Sequence, residues 1–600
     1  MAESRARPDR GPQASPSGPG DRPVTGNGFG HGDRAAGSEQ FHAPEPAGTP
    51  APGEGRGRGV ARSSLLMGAG SLVSRVTGFG RTVVISAAIG AGLLGNSYTT
   101  AQYFPQMIYE LVIGGVFASI ILPLFVKSHK NDSDGGNAFA HRLLTLALLA
   151  LAGAALIVTL ASPLIARGMS EPDQHDLVTQ LSYLMLPALM FYGLFAVLSG
   201  VLNSRERFGA PMWVPIINNL VVIVVGAAFF LSYTRDAVPD SDGRLFYDAD
   251  QVTTGMLLLL GGGTTAGVVI QVASLWPALR RAGFHWRFRF DFSALPLREI
   301  RRLASWTFLF VAANQIAVMA VIKLANAAAG GQGEEGPFIP GTTVYNNSYL
   351  MMMMAHGIVA VSVITAIMPR MTRAADDRHW PELAEHLSGG IRMASFLLVP
   401  IAAAFIALHE PFARAIFQWG AYSPEEAYAT GTVLAVVGLV LLPFSVSQLQ
   451  IYAFFAQTDT RAVALFNLPV IAIRIGGYLL AFALLPLEWV VVGLFAANGL
   501  SYLVSLLLSM SLLRKRIGLL GMRKVFLVLL RTALAAALAG ALAWLGWLAW
   551  PDVTDSKIGQ LAAATVLGVG LLAVYFAACL VLRVGEMTSF QATVRAKLRR

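Results

Sequence analysis

Apolar runs of about 20 residues recur along the chain from residue 64 to residue 582, separated by short polar segments. A helix needs about 20 apolar residues to cross roughly 30 Å of hydrocarbon. We count about fourteen such runs, and their centres lie near residues 76, 112, 152, 190, 222, 266, 312, 358, 398, 436, 472, 500, 537 and 570. The pattern predicts an all-α polytopic membrane protein with about 14 transmembrane helices.

The distribution of positive charge orients these helices. Hydrophobic residues form 54% of the chain and charged residues only 13%, with a net charge of +10. With the N-terminus inside, the cytoplasmic loops and C-terminus hold 28 Lys and Arg residues, and the opposite loops hold five. Short cytoplasmic loops carry such an excess. We therefore expect a multi-pass protein of the cell membrane with both termini cytoplasmic. The charge is explained by topology, so no nucleic-acid partner is predicted.

The first 60 residues have a different composition from the rest. They are rich in Gly, Pro, Arg, Ser and Asp and have almost no aliphatic side chains, which predicts a disordered cytoplasmic tail. No apolar stretch follows the N-terminal charges closely, so the tail does not resemble a signal peptide. Cys579 is the sole cysteine, which excludes an intramolecular disulfide and a cysteine metal cluster. Only seven of the 45 basic residues are Lys, which indicates a GC-rich bacterial genome.

Two parts of the chain resemble each other at an offset of 256 residues. Pro187 and Pro443 each lie inside an apolar run, and each run is followed at the same distance by a polar turn containing Arg205 or Arg461. We interpret this as a duplicated six-helix unit. An even number of helices per copy gives two parallel lobes, an arrangement typical of alternating-access transporters. The predicted segments are a tail (1–60), an N-lobe (61–282), a C-lobe (283–516), two further helices (517–585) and a basic cytoplasmic tail (586–600).

Two arginines lie inside the first predicted span. Arg75 and Arg81 are six residues apart, about 120° around the helix and about 9 Å along its axis. A cation in hydrocarbon costs several kcal/mol, so it normally faces a polar cavity. We expect the pair to line a pocket and bind an anion. The alternative is that one or both extend to the headgroups, because the basic tail lies just upstream.

Other polar residues within the spans form a weaker set. Lys323 and Arg474 lie in the second predicted lobe, and Glu110 is the one acid well inside a span. Glu110 is expected to pair with an arginine of the first helix, while Lys323 has the alternative of extending to the membrane surface. Buried Asn and Gln residues are interpreted as interhelical hydrogen-bond partners. There is no Walker A, HExxH, CxxC or Gly-x-Ser-x-Gly motif, so no enzymatic activity is predicted.

The stretch from Ser74 to Pro123 resembles the MurJ (MviN) family of lipid II flippases, within the multidrug/oligosaccharidyl-lipid/polysaccharide exporter superfamily. The resemblance depends on Ser74-Arg75-x-x-Gly78-x-x-Arg81, on Gly90-Ala91-Gly92, and on a Pro105 helix with Gly115, Phe117 and Pro123. Twelve helices in two lobes plus two more also fit the family. The resemblance covers nearly all of residues 60 to 585.

The resemblance implies a V-shaped cavity whose cations bind the diphosphate of lipid II, the undecaprenyl-linked disaccharide-pentapeptide of peptidoglycan synthesis. The lobes would rock to expose this substrate to each side in turn. It implies substrate-binding roles for Ser74, Arg75 and Arg81. With the weaker set, the expected site residues are Ser74, Arg75, Arg81, Glu110, Lys323 and Arg474. Expected partners besides lipid II are membrane lipids and cell-wall synthesis or division proteins.

This chain departs from the family pattern at several positions. Asn96 stands where many members have Asp, and Tyr109 and Glu110 stand where they have an arginine in helix two. Arg474 occupies helix eleven, and helices seven, eleven and twelve have no interior carboxylate, so we expect neither a sodium site nor any other metal or cofactor. The departures leave two alternatives open. One is a flippase for another polyprenyl-diphosphate-linked glycan, and the other is a transport-inactive scaffold of the cell-wall machinery. An exporter of small amphipathic cations would need acidic cavity residues and is disfavoured.

Overall fold

Long apolar helices run through the part of the chain that the computed structural model describes. The described residues are 57–111, 134, 136–205, 207–235, 247, 250–292, 297–330, 338–518, 521–550, 556–588 and 591. Thirteen helical segments within them are long and apolar enough to cross a membrane. The all-α multi-pass prediction is therefore confirmed. The predicted span near residue 112 is described only in its first half, and most of both predicted tails lies outside the described residues.

The helices form two consecutive groups and a final pair. The first group consists of α1 (Gly57–Ile89), α2 (Leu93–Tyr109), α3 (Asn137–Leu160), α4 (Ser162–Met169), α5 (His175–Met185), α6 (Ala188–Ser204), α7 (Gly209–Phe229), α8 (Thr254–Leu257), α9 (Gly263–Ala273) and α10 (Trp276–Arg281). The second group consists of α11 (Leu297–Ala329), α12 (Thr342–Asp376), α13 (Trp380–Ala407), α14 (His409–Phe417), α15 (Pro424–Ala456), α16 (Thr460–Leu484) and α17 (Leu487–Ile517). The final pair is α18 (Met522–Leu548) and α19 (Lys557–Val581).

Packing is dense within each group. In the first group α1 packs along α7, α7 along α9, α2 along α5 and α3 along α6. In the second group α15 contacts α12, α13 and α17, while α16 packs against α11 and α17. The final pair packs on α13 and α14, where the buried Tyr575 donates a hydrogen bond to the carbonyl of Phe396 at 2.7 Å. The main contacts between the two groups come from α1, α2 and α4 against α11, α12 and α14.

The two prolines of the predicted repeat have different effects on their helices. Proline lacks the backbone N–H that a helix interior needs, so it bends or interrupts the helix. Pro187 separates α5 from α6, whereas Pro443 is accommodated inside α15. Each proline is followed in the sequence by an arginine at the end of a helix, and both arginines contact another part of the chain. Arg205 donates to the carbonyl of Ala282 at 2.7 Å, and Arg461 lies 5.4 Å from the centre of the Trp306 ring.

The end of α1 is attached to the second group by one carboxylate and one backbone hydrogen bond. We call this attachment the Gly90 contact, and it comprises Gly90, Ala91, Ala421 and Glu426. Glu426 is buried and accepts a hydrogen bond from the backbone N–H of Ala91 at 2.9 Å. The N–H of Ala421 donates to the carbonyl of Ala87 at 2.8 Å. Gly90 has φ +71°, a conformation that favours glycine, and its missing side chain leaves room for the carbonyl of Ala421.

Further hydrogen bonds between the groups lie at the same end of the bundle. Asn96 accepts from the backbone N–H of Thr343 at 2.9 Å, and Asn347 donates to Ser86 at 3.0 Å. Asn326 donates to Thr100 at 2.9 Å. These amides act as interhelical hydrogen-bond partners, as predicted for buried Asn and Gln. Together with the Gly90 contact they hold the two groups together at this end.

Replacing Glu426 is expected to loosen this end of the bundle. Glu426→Ala leaves the buried N–H groups of Ala91 and Ser423 without their acceptor, a loss of about 2 kcal/mol or more because these hydrogen bonds involve a charged group. We expect a longer, broader distance distribution between spin labels at Thr254 and Tyr428, measured by double electron–electron resonance. The labels go into a Cys579→Ala background, since Cys579 is the sole cysteine.

The neighbouring Glu425→Ala is the matched control, because Glu425 is exposed in the same helical turn. Its distance distribution should match that of the parent protein. An unchanged distribution in Glu426→Ala would show that the Gly90 contact does not hold the two groups together.

Candidate functional site

A polar cavity lies between the two groups of helices, next to the Gly90 contact. It has a volume of about 60 Å³ and is formed by α1, α2 and α12. A cavity needs roughly 10–15 Å³ to hold one water molecule, so this one has room for several. The polar side chains on its wall are Arg81, Thr82, Ser86, Tyr98, Thr99, Gln102, Tyr103, Gln106, Thr343, Asn346 and Asn347. We call it the first cavity.

Arg81 brings a positive charge to the first cavity. Its side chain is half-buried, and among the residues that the structure describes its guanidinium forms no hydrogen bond or ion pair. Nearby polar groups bond to each other instead, since Tyr103 donates to Asn346 at 2.9 Å. A guanidinium keeps its charge at any working pH and matches phosphate or carboxylate oxygens with two parallel N–H groups. The geometry therefore suits an anion at Arg81.

Arg75 and Ser74 lie further along α1, away from the first cavity. The guanidinium of Arg75 lies against Gly357 of α12 so closely that a methyl group there would overlap Nη1. The carbonyl of Ser74 accepts a hydrogen bond from Asn219 of α7 at 3.0 Å, which fixes this turn of α1 within the first group. The structure thus places Arg81 in the cavity and Arg75 across the gap between the groups.

A second cavity, of about 50 Å³, adjoins the first. Tyr103 and Gln106 line both cavities. The other polar side chains on the wall of the second cavity are Glu110, Gln315, Tyr345, Tyr349, Arg474, Tyr478, Asn498 and Tyr502, contributed by α11, α12, α16, α17 and the end of α2. Glu110 and Arg474, both identified from the sequence, therefore lie in one compartment.

The hydrogen bonding of Glu110 differs from the expected one. Its carboxylate accepts a hydrogen bond from Gln315 at 2.5 Å rather than pairing with Arg81. Arg474 is buried and donates from Nε to Ser501 at 2.9 Å, with its guanidinium 4.8 Å from the centre of the Tyr502 ring. Ring faces attract cations, so Tyr502 and Ser501 stabilise the buried charge from one side.

Lys323 is not part of either cavity. It lies on an exposed side of α11, and its extension towards the membrane surface stays a prediction. Several residues at the site had no distinguishing signal in the sequence. They are Gly357 and the tyrosines at 345, 349, 478 and 502.

Comparison with known proteins identifies relatives along most of the chain. Residues 85–552 match the family model described as "Lipid II flippase MurJ". A protein from Rhizobium meliloti (strain 1021) called "Probable lipid II flippase MurJ" is 28% identical over 530 residues, which cover 86% of this chain and 93% of that protein. A protein of the same name from Rhizobium tropici is 26% identical over 433 residues, covering 71% and 76%.

A solved structure has a similar fold. It is described as "Lipid II flippase MurJ, inward closed conformation", and it matches with a TM-score of 0.64 at 16% identity, covering 85% of this chain and 99% of that one. The family model starts at residue 85, so Ser74, Arg75 and Arg81 lie outside that match. Because the model spans well over half of the sequence, this chain belongs to the lipid II flippase MurJ family.

Proposed function

We propose that this chain moves lipid II from the inner to the outer leaflet of the cytoplasmic membrane, for peptidoglycan synthesis. Movement occurs by alternating access, and no bond is made or broken. Membership of the family supports the substrate. The observation that carries the mechanism is Arg81, a cation that faces a polar cavity between two groups of helices and has no anionic partner among the described residues.

The two groups of helices are the lobes of the proposed mechanism. Helices α1–α10 form the N-lobe, α11–α17 form the C-lobe, and α18 and α19 stand behind the C-lobe. The excess of Lys and Arg supports an orientation with the basic loops and both termini in the cytoplasm. The Gly90 contact then lies on the outer side of the membrane, and Arg75 lies nearer the cytoplasm. Opening towards the outside requires the Gly90 contact to break.

Diphosphate binding is the role of Arg81 and Arg75. Arg81 is already at the cavity wall, whereas Arg75 must turn away from Gly357 to reach a bound anion. Ser74, one residue from Arg75, contributes a hydroxyl hydrogen bond. Each charge-assisted hydrogen bond contributes about 1.5–3 kcal/mol, so two arginines can hold a diphosphate firmly. The anion in turn lowers the cost of keeping both cations inside the membrane.

The membrane potential can drive this movement. An anion moving outwards across a membrane that is negative inside gains about 2.3 kcal/mol per charge for each 100 mV. The diphosphate of the substrate carries such charge through the membrane. Transport in this direction then needs no nucleotide hydrolysis, in agreement with the absence of a Walker A motif from the sequence.

Replacing Arg81 tests the anion site. Arg81→Gln is expected to lower lipid II movement by roughly 100-fold, because the loss of two charge-assisted hydrogen bonds costs about 3 kcal/mol. The measurement is complementation of a flippase-depleted bacterium at matched membrane expression, together with an assay of lipid II accessible at the outer surface. Arg81→Lys keeps the charge and should retain part of the activity.

Arg167→Gln is the control, because Arg167 is an exposed arginine on α4 that lines neither cavity. It should complement fully. Full activity of Arg81→Gln would refute the anion site. Failure of the unaltered protein in a compatible host would favour another polyprenyl-linked glycan or the scaffold alternative.

The variant Gly357→Ala tests the position of Arg75, because it adds a methyl group where the guanidinium lies. Gly357→Ala should displace only the end of this flexible side chain, so the helices should stay folded. We expect several-fold faster modification of Arg75 by phenylglyoxal, followed by peptide mass spectrometry, together with slower lipid II movement. Gly80→Ala on α1 is the control, since a methyl group there meets open space. Equal modification rates in the two variants would contradict the contact between Arg75 and α12.

A further inference from the structure

The second cavity contains one basic and one acidic side chain, and binding of a diphosphate explains neither. Arg474 lies on α16 and Glu110 at the end of α2, so the two side chains belong to different groups of helices. Both line the same cavity, yet they form no ion pair with each other. Burying a guanidinium and a carboxyl group without pairing them costs free energy, and a ligand with both a carboxylate and an amino group can recover it.

Arg474 is fixed on one side and available on the other. Its Nε is used by Ser501, and the Tyr502 ring covers one face of the guanidinium. Among the described residues, no hydrogen bond is formed by Nη1 or Nη2, and no carboxylate pairs with them. The residue is only 6% exposed, so a partner for these two nitrogens must come from the cavity itself. Two parallel N–H groups suit a carboxylate.

The wall beside Arg474 is held in place before any ligand arrives. Asn498 accepts a hydrogen bond from Tyr478 at 2.6 Å and donates one to Tyr345 at 2.9 Å. The centres of the stacked Tyr345 and Tyr349 rings are 6.2 Å apart, and both rings form part of the cavity wall. Polar groups that are fixed before binding reduce the entropy lost when a ligand binds.

Glu110 provides the acceptor at the other end of the cavity. The amide of Gln315 orients its carboxylate by donating at 2.5 Å. A carboxylate has about four lone-pair positions, so acceptor capacity remains for an ammonium group. The cavity of about 50 Å³ is large enough for such small end groups but not for a whole peptide. The rest of the ligand must therefore remain in the adjoining space between the groups of helices.

The two cavities are close enough for one ligand to occupy both. Tyr103 and Gln106 form part of the wall of each, so the second cavity begins at side chains that also border the cavity of Arg81. A substrate whose diphosphate is bound at Arg81 can extend a polar chain past Tyr103 without leaving the protein.

We propose that the second cavity binds the end of the substrate's peptide, with a carboxylate on Arg474 and an amino group on Glu110. This inference rests on the proposed function, since it takes a diphosphate-linked glycopeptide as the ligand. The lipid chain, the diphosphate and the two sugars carry neither a carboxylate paired with an amine nor any other zwitterionic group. The peptide is the part of such a substrate that matches the cavity.

The test compares two ligands on the full-length protein in nanodiscs by native mass spectrometry. One ligand is lipid II, and the other is the same lipid-linked disaccharide without its peptide, its lactyl carboxyl group being converted to the amide so that it offers Arg474 no carboxylate. Arg474→Gln should weaken lipid II binding roughly 100-fold, as expected for the loss of two charge-assisted hydrogen bonds, and leave the peptide-free ligand unchanged. Ser501→Ala removes only the group that orients Arg474, and it should cause a smaller loss for lipid II alone.

Lipid II with acetylated peptide amino groups tests Glu110. It should bind less tightly than lipid II to the unaltered protein, and Glu110→Gln should abolish this difference. Arg461→Gln is the control, because Arg461 is exposed on the same helix as Arg474 and should affect neither ligand. Retained binding of the peptide-free ligand shows that each variant is folded.

The outcomes separate this inference from the proposed function. If Arg474→Gln and Ser501→Ala weaken both ligands equally, or neither, the peptide site is refuted. Arg81→Gln should weaken both ligands, because each carries the diphosphate. If it weakens neither, the anion site of the proposed function fails, whatever the result for Arg474.

Discussion

Hydrocarbon cannot solvate a guanidinium group, and this constraint determines how α1, α12 and α16 are arranged. Each buried arginine is placed where polar or aromatic groups reduce its desolvation. Arg474 lies between a hydroxyl and an aromatic ring, Arg81 faces a polar cavity, and Arg75 spans the gap to α12. A flippase needs cations that are stable enough to stay in the membrane and incompletely neutralised, so that a substrate anion still gains from binding them.

The hydrogen bonds between the two groups of helices are likewise suited to a protein that changes conformation. Amides, hydroxyls and one carboxylate join α1 and α2 to the second group at the Gly90 end, and these bonds are individually modest. In a membrane protein such polar contacts contribute about 0.6 kcal/mol each on average, because the separated helices also find partners. Several of them can therefore hold a closed state that a substrate or the membrane potential is still able to open.

The sequence was sufficient for the positions of the thirteen spans that lie within the described residues, because the length of an apolar run measures the thickness of hydrocarbon directly. It was also sufficient to identify Arg81 and Arg474, since charges stand out in apolar segments. It could not separate Arg474 from Lys323. All faces of such helices are apolar, so periodicity does not show which face is buried, and only the structure places Arg474 inside and Lys323 outside. Gly357 and Tyr502 are ordinary residues for their segments, and Glu426 has only the local signal of a capping box with Ser423. Their contacts with helices distant in sequence are visible only in the structure.

The two carboxylate oxygens of Glu426 accept hydrogen bonds from two different parts of the chain. Oε1 accepts from Ala91 in the first group, while Oε2 accepts from the N–H of Ser423, whose side chain in turn accepts from the N–H of Glu426 to complete the capping box of α15. When the two groups separate at this end, Glu426 loses the bond from Ala91 to Oε1 and keeps the bond from Ser423 to Oε2. The start of α15 keeps its own cap, so the helix does not fray during opening and its first turn is ready to receive α1 again. The closure can therefore be repeated many times by rigid helices, with no refolding step to limit its rate.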